Sequence, residues 1–528
     1  GGMAEAEVEG EAEIAALTEG GRTEGGLGSP RGSLEGDSAW EEQWFFNEPC
    51  ELVWRGGVVK GWLHLSAHSL FFEPEAAAAA TAAATATPRG DAAAAAAAAA
   101  VESEAAQAQG GDGAPGGPQI WAVGELKRME RRRYLLVHCA LELFVAASAV
   151  FFNMSNRRSR DTLRRALRRV GVPERSWLAG RAGLLEAWQR RDICNFDYLM
   201  ELNTLAGRTY NDLNQYPIFP WVLREYEQAS LNLNDPTVYR DLARPMGALN
   251  PARLDQVTER YQQMDTIDSE IPPFHYGSHY SSAGAVLFWL LRMEPFTSYA
   301  IELQSGRFDH ADRLFYSIAE AWSSCNTSLA DVKELVPEFF YLPTFLENGG
   351  GFELGVRQDG KVVGDVLLPP WARSAEEFVA LQRRALESEH VSASLHLWVD
   401  LIFGHKQRGK AAEEAHNVFF YLTYEGAVDF ESPTLDEAEA LALKTQIACF
   451  GQTPPQLFTA PHPPRRAALP FLRPVHWGPP GVQAFARVPL KMMGGGRGRR
   501  GATDGSGVGG SGGSGGIGGS GAHATALA

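Results

Sequence analysis

The first clear hydrophobic period along the chain has a step of two. In "CELVWRGGVVKGWLHLSAHSLFFEP" (50–74), Val59, Leu63 and Leu65 alternate with Lys60, His64 and Ser66, the pattern of a half-buried strand. A low-complexity, Ala-rich stretch over 75–118 interrupts it and reads as a long insertion in a surface loop. Strand-like text resumes at Ile120 and runs to about Met154. Within it, Leu135 to Phe152 is apolar over the length of a short membrane span, but it contains His138 and Glu142. A carboxylate near mid-span is costly in lipid. The β-branched and aromatic content and the flanking "RRRY" fit two buried strands better.

At "NRRSRDTLRRALRRVG" (156–171) the period changes to that of a helix. Leu163, Ala166, Leu167 and Val170 mark one face. Arg160, Arg164 and Arg168 line another, with Arg165 and Arg169 beside them. Two readings stand: a solvated outer face of a helix packed on the sheet, or a contact for anionic lipid or an acidic partner.

From Ser176 to Phe458 the chain has no low-complexity stretch and carries most of the long helical patterns. "SAEE" (Ser374, Glu377) and "TLDE" (Thr434, Glu437) read as capping boxes. Leu314, Ile318, Trp322 and Cys325 form one helical stripe, and "AVLFWLL" (285–291) predicts a helix buried all round. The run "NTLAGRTYNDLNQYPIFPWVL" (203–223) is too irregular for strands and too apolar for an exposed loop. It predicts buried, non-regular backbone held by side-chain hydrogen bonds.

Composition narrows the function classes. The 528 residues suffice for two to four domains, and 45% are hydrophobic. Of the net charge of −16, residues 1–48 hold −10, with twelve acids against two arginines. That disfavours nucleic acid as a partner, since phosphate binding needs a basic face. Residues 1–40 read as a disordered acidic tail, and residues 487–528 as a disordered Gly/Ser-rich one. The start is acidic and lacks the apolar core of a secretion signal. Five scattered cysteines without a CxxC pair suit a reducing compartment.

Candidate chemistry is sparse. His275 and His279 in "PPFHYGSHYSSAG" (272–284) are four apart, yet the zinc-protease pattern needs Glu where Tyr276 stands. Hydrogen-bonded buried histidines are expected instead, with Ser281 or Ser282 as N-cap of the next helix. In "GRFDHADRLF" (306–315), Asp309 reads as an N-cap and Asp312 as the third helical residue. "ENGGGFELG" (347–355) lacks the Lys-Ser/Thr of a phosphate loop. Glu201, Asp212, Glu334 and Glu338 are available as acid/base groups, with solvated or salt-bridged roles as the default.

The order of these segments resembles the BEACH domain family, which includes neurobeachin and the lysosomal trafficking regulator. The resemblance runs over about 176–466 through "NFDYLMELNTLAGRTYNDLNQYPIFPWVL", "IPPFHYGSHYSSAGAVLFWLL", "LQSGRFDHADRLFYSIAEAW", "HLWVDLIFGHKQRG" and "NVFFYLTYEGAVD". Residues 41–172 are similar to the pleckstrin-homology-like (PH-like) domain that precedes BEACH. The implied fold is α+β and multi-domain: a PH-like β-roll with a C-terminal helix, packed on a mostly α BEACH domain with extended non-regular segments in its core. The implied function is a non-catalytic scaffold in vesicle and membrane traffic, serving lysosome-related organelles, receptor sorting or autophagy. Its implied partners are proteins bound at a PH–BEACH groove, not nucleic acid. It would be cytoplasmic and peripherally membrane-associated, without metal or cofactor. The family usually continues into WD40 repeats, which this chain lacks, pointing to a fragment or a shortened member. Candidate structural or interaction residues are Asn203, Arg208, Asn211, Asp212, His275, His279, Arg307 and Asp309. Candidate contacts for anionic lipid or an acidic partner are Arg160, Arg164, Arg165, Arg168 and Arg169. The alternatives are a peripheral lipid-binding module using helix 157–169 and a cryptic hydrolase or metalloenzyme.

Overall fold

The computed structural model describes residues 44–467 except 55–56, 76–116, 146–147, 175–176, 267–270, 431 and 433. The expectations for both tails and nearly all of the insertion lie outside the described residues.

The period-two segments form one antiparallel seven-stranded sheet: β1 (Phe46–Trp54), β2 (Gly57–Leu65), β3 (Ser69–Pro74), β4 (Gln119–Ala122), β5 (Leu126–Tyr134), β6 (Val137–Val145) and β7 (Ser148–Met154), in the order β4-β3-β2-β1-β7-β6-β5. The apolar stretch at 135–152 is therefore two paired strands, Leu141 opposite Phe152 and Val145 opposite Ser148. No helix among the described residues is long and apolar enough to cross a membrane. Ser66 departs from the expected alternation. It is buried in the turn after β2, where its hydroxyl accepts from the Ser69 N–H at 2.9 Å.

Helix α1 (Arg157–Arg169) starts at Asn156, whose side chain accepts from the Ser159 N–H. It lays Leu163, Ala166 and Leu167 on a core built from Leu63, Phe72, Met129, Leu141 and Phe152. Burying each leucine contributes about 1.5–3 kcal/mol, which sets the orientation of the helix. One expectation is corrected here: Arg160 is not on the outer face but 3% exposed and paired with Asp161 at 2.9 Å.

The remainder is mostly helical: α2 (Trp177–Gln189), α3 (Asn195–Leu205), α4 (Pro251–Asp265), α5 (Ala283–Trp289), α6 (Phe296–Leu303), α7 (Ile318–Thr327), α8 (Ala375–Leu386), α9 (Glu389–Ile402), α10 (Lys410–Glu414) and α11 (Glu437–Phe450). Ser282 and Ser374 cap α5 and α8 as expected. Three local readings fail. The cap of α11 is Asp436, which accepts from the Glu439 N–H, and not Thr434. Asp309 caps no α-helix: residues 311–313 form a single 3₁₀ turn, and α7 begins beyond it with Ser317 as its cap. Leu314 accordingly lies before the helix whose stripe it was to join. A capping residue is recognised by its chemistry, but several polar residues near one helix start compete for the role, and packing chooses among them.

The irregular run 203–223 is buried, and side chains serve its backbone. Asn203 donates to the carbonyls of Leu199 and Ile218 and accepts from the Ile218 N–H at 2.9 Å. The Trp221 N–H reaches Glu334, which is also ion-paired to the fully buried Arg240 at 2.6 Å. These bonds stand in for a sheet ladder where the segment threads the core.

Candidate functional site: a charged seam between the domains

Strand β6 has two buried faces. Leu141 and Leu143 point into the sheet's own core, so the period of two turns Ala140 and Glu142 to the opposite side, where the helical domain covers them. Glu142 is 1% exposed and stands opposite Glu130 of β5. Like charges directly opposed in a sheet repel. Arg132 bridges them, with Nε 2.6 Å from Glu142 and Nη2 2.8 Å from Glu130. Burial works against the charge on Arg132, but the two carboxylates prevail and raise its pKa.

The helical domain completes this site with the turn after α3. Gly207 takes φ +78°, a left-handed conformation that suits glycine. The next residues face alternately. Thr209 donates its hydroxyl to Glu142 at 2.6 Å, and Asn211 donates to Glu142 at 3.4 Å and to the Ala149 carbonyl at 3.2 Å. Arg208 turns the other way, into the helical core. It donates to the Tyr216 carbonyl at 2.7 Å, the Gln452 carbonyl at 3.3 Å and the Ser281 hydroxyl. With carbonyl and hydroxyl acceptors in place of a direct carboxylate, burial lowers its pKa to about 10. Asp212 accepts from the Asn214 N–H at 2.9 Å, and burial raises its pKa to about 6 despite that bond and the charge of Arg208.

A second contact lies beyond the first. Leu135 and Leu136, at φ 48° and 65°, make the turn between β5 and β6 in a conformation that costs a non-glycine residue free energy. The turn presents Leu136 to Leu422 and Ile447 of the helical domain. Alongside it, Glu425 receives Arg133 at 2.5 Å and bonds to His138. Burial pushes the Glu425 carboxyl up, but His138 and Arg133 outweigh it and bring it to about 2.

The histidines singled out in the sequence are placed separately. His279 is fully enclosed: the Ser281 N–H donates to its Nδ1 at 3.1 Å, and its Nε2 lies 3.1 Å from the Thr453 hydroxyl. Gly451, at φ +93°, passes so close that a Cβ there would sit 2.4 Å from the Ser281 carbonyl. His275 accepts from the Val418 N–H at 3.3 Å and stacks on Tyr261. Burial, the first cause for both, lowers their pKa values to about 3 and about 4. Arg208 and His279 thus share Ser281, and Thr209 and Asn211 join that knot to the sheet. Arg307 and Asp309 take no part in it and line a separate cleft of about 560 Å³. Among the acid/base candidates, Glu338 is neither solvated nor salt-bridged, but accepts from the hydroxyls of Tyr216 and Tyr341 at 2.8 and 3.1 Å. No group of three or more His, Cys, Asp or Glu among the described residues is arranged to hold a metal, and all five cysteines are free.

Sequence reasoning missed Glu142, Arg132, Thr209 and Glu425 as parts of one site. A signal was present for the first: a lone glutamate in an apolar strand must have a buried partner.

A PH-like sheet joined by buried charge to a helical domain with an irregular core defines a two-domain module. The sequence matches the Beige/BEACH domain over residues 186–465 and the PH domain associated with Beige/BEACH over residues 50–168. The chain belongs to the BEACH family. It is 47% identical over 391 residues to BEACH domain-containing protein B of Arabidopsis thaliana, which covers 70% of this chain and 15% of that protein. It is 58% identical over 283 residues to BEACH domain-containing protein lvsD of Dictyostelium discoideum, covering 53% of this chain and 9% of the relative. It is 48% identical over 372 residues to BEACH domain-containing protein A2 of Arabidopsis thaliana, covering 66% and 10%. The chain therefore spans only a small part of each of these relatives. Among solved structures, the C-terminal domain of an unknown protein from Leishmania infantum matches at 15% identity and a TM-score of 0.15, covering 24% of this chain and 81% of that one. So slight a likeness has no bearing on the fold.

Proposed function

We propose that this chain is a non-catalytic protein-binding module of the trafficking machinery, as the family resemblance to neurobeachin and the lysosomal trafficking regulator implies. On this reading it works in the cytoplasm, at membrane surfaces, and binds partners where its two domains meet. The observation that supports the reading is the seam. Glu142, with Arg132, Thr209 and Asn211, holds one domain against the other, so their joined rim is a composite surface of fixed shape. His138 and Glu425 lie at that rim, 52% and 31% exposed at their side chains. The test is proximity labelling in cells with the intact chain and with His138→Glu, which sets a second carboxylate beside Glu425. Loss of vesicle-associated proteins from the labelled set, at unchanged folding stability, supports the reading. An unchanged set removes the junction as the binding surface. Turnover of a lipid or peptide by the purified chain, abolished by Ser282→Ala, would overturn the non-catalytic assignment.

A second reading, contact with an anionic membrane, has its own observation: Arg165, Arg168 and Arg169 of α1 are exposed. Flotation with vesicles of neutral and anionic lipid tests it. Binding indifferent both to lipid charge and to Arg→Glu changes at these positions would eliminate it.

A further inference from the structure

Helix α1 carries seven arginines and one aspartate. At about 100° per residue, Arg157, Arg158, Arg165, Arg168 and Arg169 occupy roughly a third of its circumference, opposite the buried arc of Leu163, Ala166 and Leu167. All five are exposed. The nearby acids are already engaged: Asp161 with Arg160 and Arg164, and Glu174 with Arg164 and Arg131. Arg165 reaches only the Thr162 hydroxyl, and Arg157, Arg158, Arg168 and Arg169 have no side-chain partner among the described residues. Five cations along roughly 20 Å of helix, with no carboxylate partner among the described residues, repel one another.

The chain holds a complement to this stripe. Residues 1–43 contain eleven carboxylates and two arginines. They lead into β1, and β1 adjoins the start of α1: Cys50 pairs with Met154, and the Ser155 hydroxyl donates to the Pro49 carbonyl at 3.5 Å. The acidic segment thus ends six residues before Pro49, where β1 passes the start of the arginine helix, and extended it is several times longer than the stripe.

We propose that the acidic segment 1–43 lies along the arginine face of α1 in the same molecule and shields it from other anionic partners. Exposed ion pairs are individually weak and screened by salt. Tethering supplies the missing strength, because a segment joined this close to its site is present at millimolar effective concentration. The association is therefore salt-sensitive and independent of protein concentration, and a competing polyanion displaces the segment.

The test is arginine footprinting of the full chain with phenylglyoxal, read by mass spectrometry. The comparison is a full-length variant whose eleven acids in 1–43 are changed to their amides. At about 20 mM salt, Arg165, Arg168 and Arg169 should react about threefold or more slowly in the natural chain than in the variant. At about 0.5 M salt the difference should vanish. If the variant folds poorly, the salt response of the natural chain alone decides, since Arg165 must become more reactive relative to the buried Arg160 as salt rises. Equal low-salt rates in both proteins overturn the proposal. So does protection that is lost on dilution, which would make the occupant a second copy. Slowed modification at Arg487, Arg497, Arg499 and Arg500 instead of α1 would also overturn it, because the acids would then be covering those cations.

Discussion

Replacing Glu142 with glutamine keeps the side chain's shape and removes the charge that three donors share. Glu142 accepts from Arg132 and Thr209, each at 2.6 Å, and more weakly from Asn211 at 3.4 Å. A glutamine has one acceptor oxygen; kept on Arg132, it turns the amide nitrogen toward Thr209, whose hydroxyl must then accept instead of donate, and toward the Asn211 amide, a second donor. The ion pair with Arg132 is lost, and two amide donors are brought together in a dry site. A bond to a charged acceptor contributes about 1.5–3 kcal/mol, and breaking a buried ion pair costs about 3–5 kcal/mol. Arg132 keeps Glu130 at 2.8 Å, which places the expected loss near the lower end, about 3 kcal/mol, or roughly a hundredfold in the folding equilibrium. Urea unfolding followed by tryptophan fluorescence measures it, since Trp62 and Trp121 report on the sheet and Trp188, Trp221 and Trp289 on the helical domain. Thr209→Val removes one donor from across the seam and leaves the Arg132 pair intact. In a double-mutant cycle the two changes should couple by about 1–2 kcal/mol. A loss below about 1 kcal/mol for Glu142→Gln, or simple additivity of the two changes, would refute the seam as a shared bond between the domains.

Three further predictions concern the helical domain. Arg240→Met leaves Glu334 buried without its cation and should destabilise by about 3–5 kcal/mol in chemical denaturation, with Glu334→Gln partly restoring it. Gly451→Ala forces a Cβ against the Ser281 carbonyl at φ +93° and should cost at least about 2 kcal/mol by the same measurement; a neutral result would mean that the 279–281 knot is loose. Stability should rise with pH between about 4 and about 6.5. Burial holds the folded pKa values of His275 and His462 at about 4 and of His279 at about 3, so the unfolded chain binds more protons in that window, each histidine contributing up to about 1.4 kcal/mol per pH unit. Asp212, raised to about 6 by burial, acts in the opposite sense between about 4 and about 6, so His279→Gln should flatten the profile and Asp212→Asn steepen it in urea titrations across that range.

Much of the architecture is legible in the sequence, for local reasons. Strand and helix periods, the irregular run at 203–223 and the caps at Ser282 and Ser374 depend on residues within a turn or two of one another. The ordered motifs carry the family resemblance, and the chain matches the BEACH domain and its associated PH domain. The local signal failed where several polar residues contend for one role, as Asp309 and Ser317 did before α7, and Thr434 and Asp436 before α11. It failed too at Arg160, because a helical wheel shows which residues share a face but not how far that face sinks into a sheet.

The candidate site divides along the same line. The sequence by itself determined that Glu142 lies in an apolar strand, that Thr209 and Asn211 lie in a buried, irregular run, and that the histidines at 275 and 279 lack a zinc pattern. Only the tertiary structure decided that Glu142 meets Thr209 from 67 residues away and that Arg133 meets Glu425 from 292 residues away. The physical reason is that burying a charge makes a partner obligatory without specifying which one. The choice is made by the packing of Leu141 and Leu143 into one core, which turns Glu142 toward the other domain.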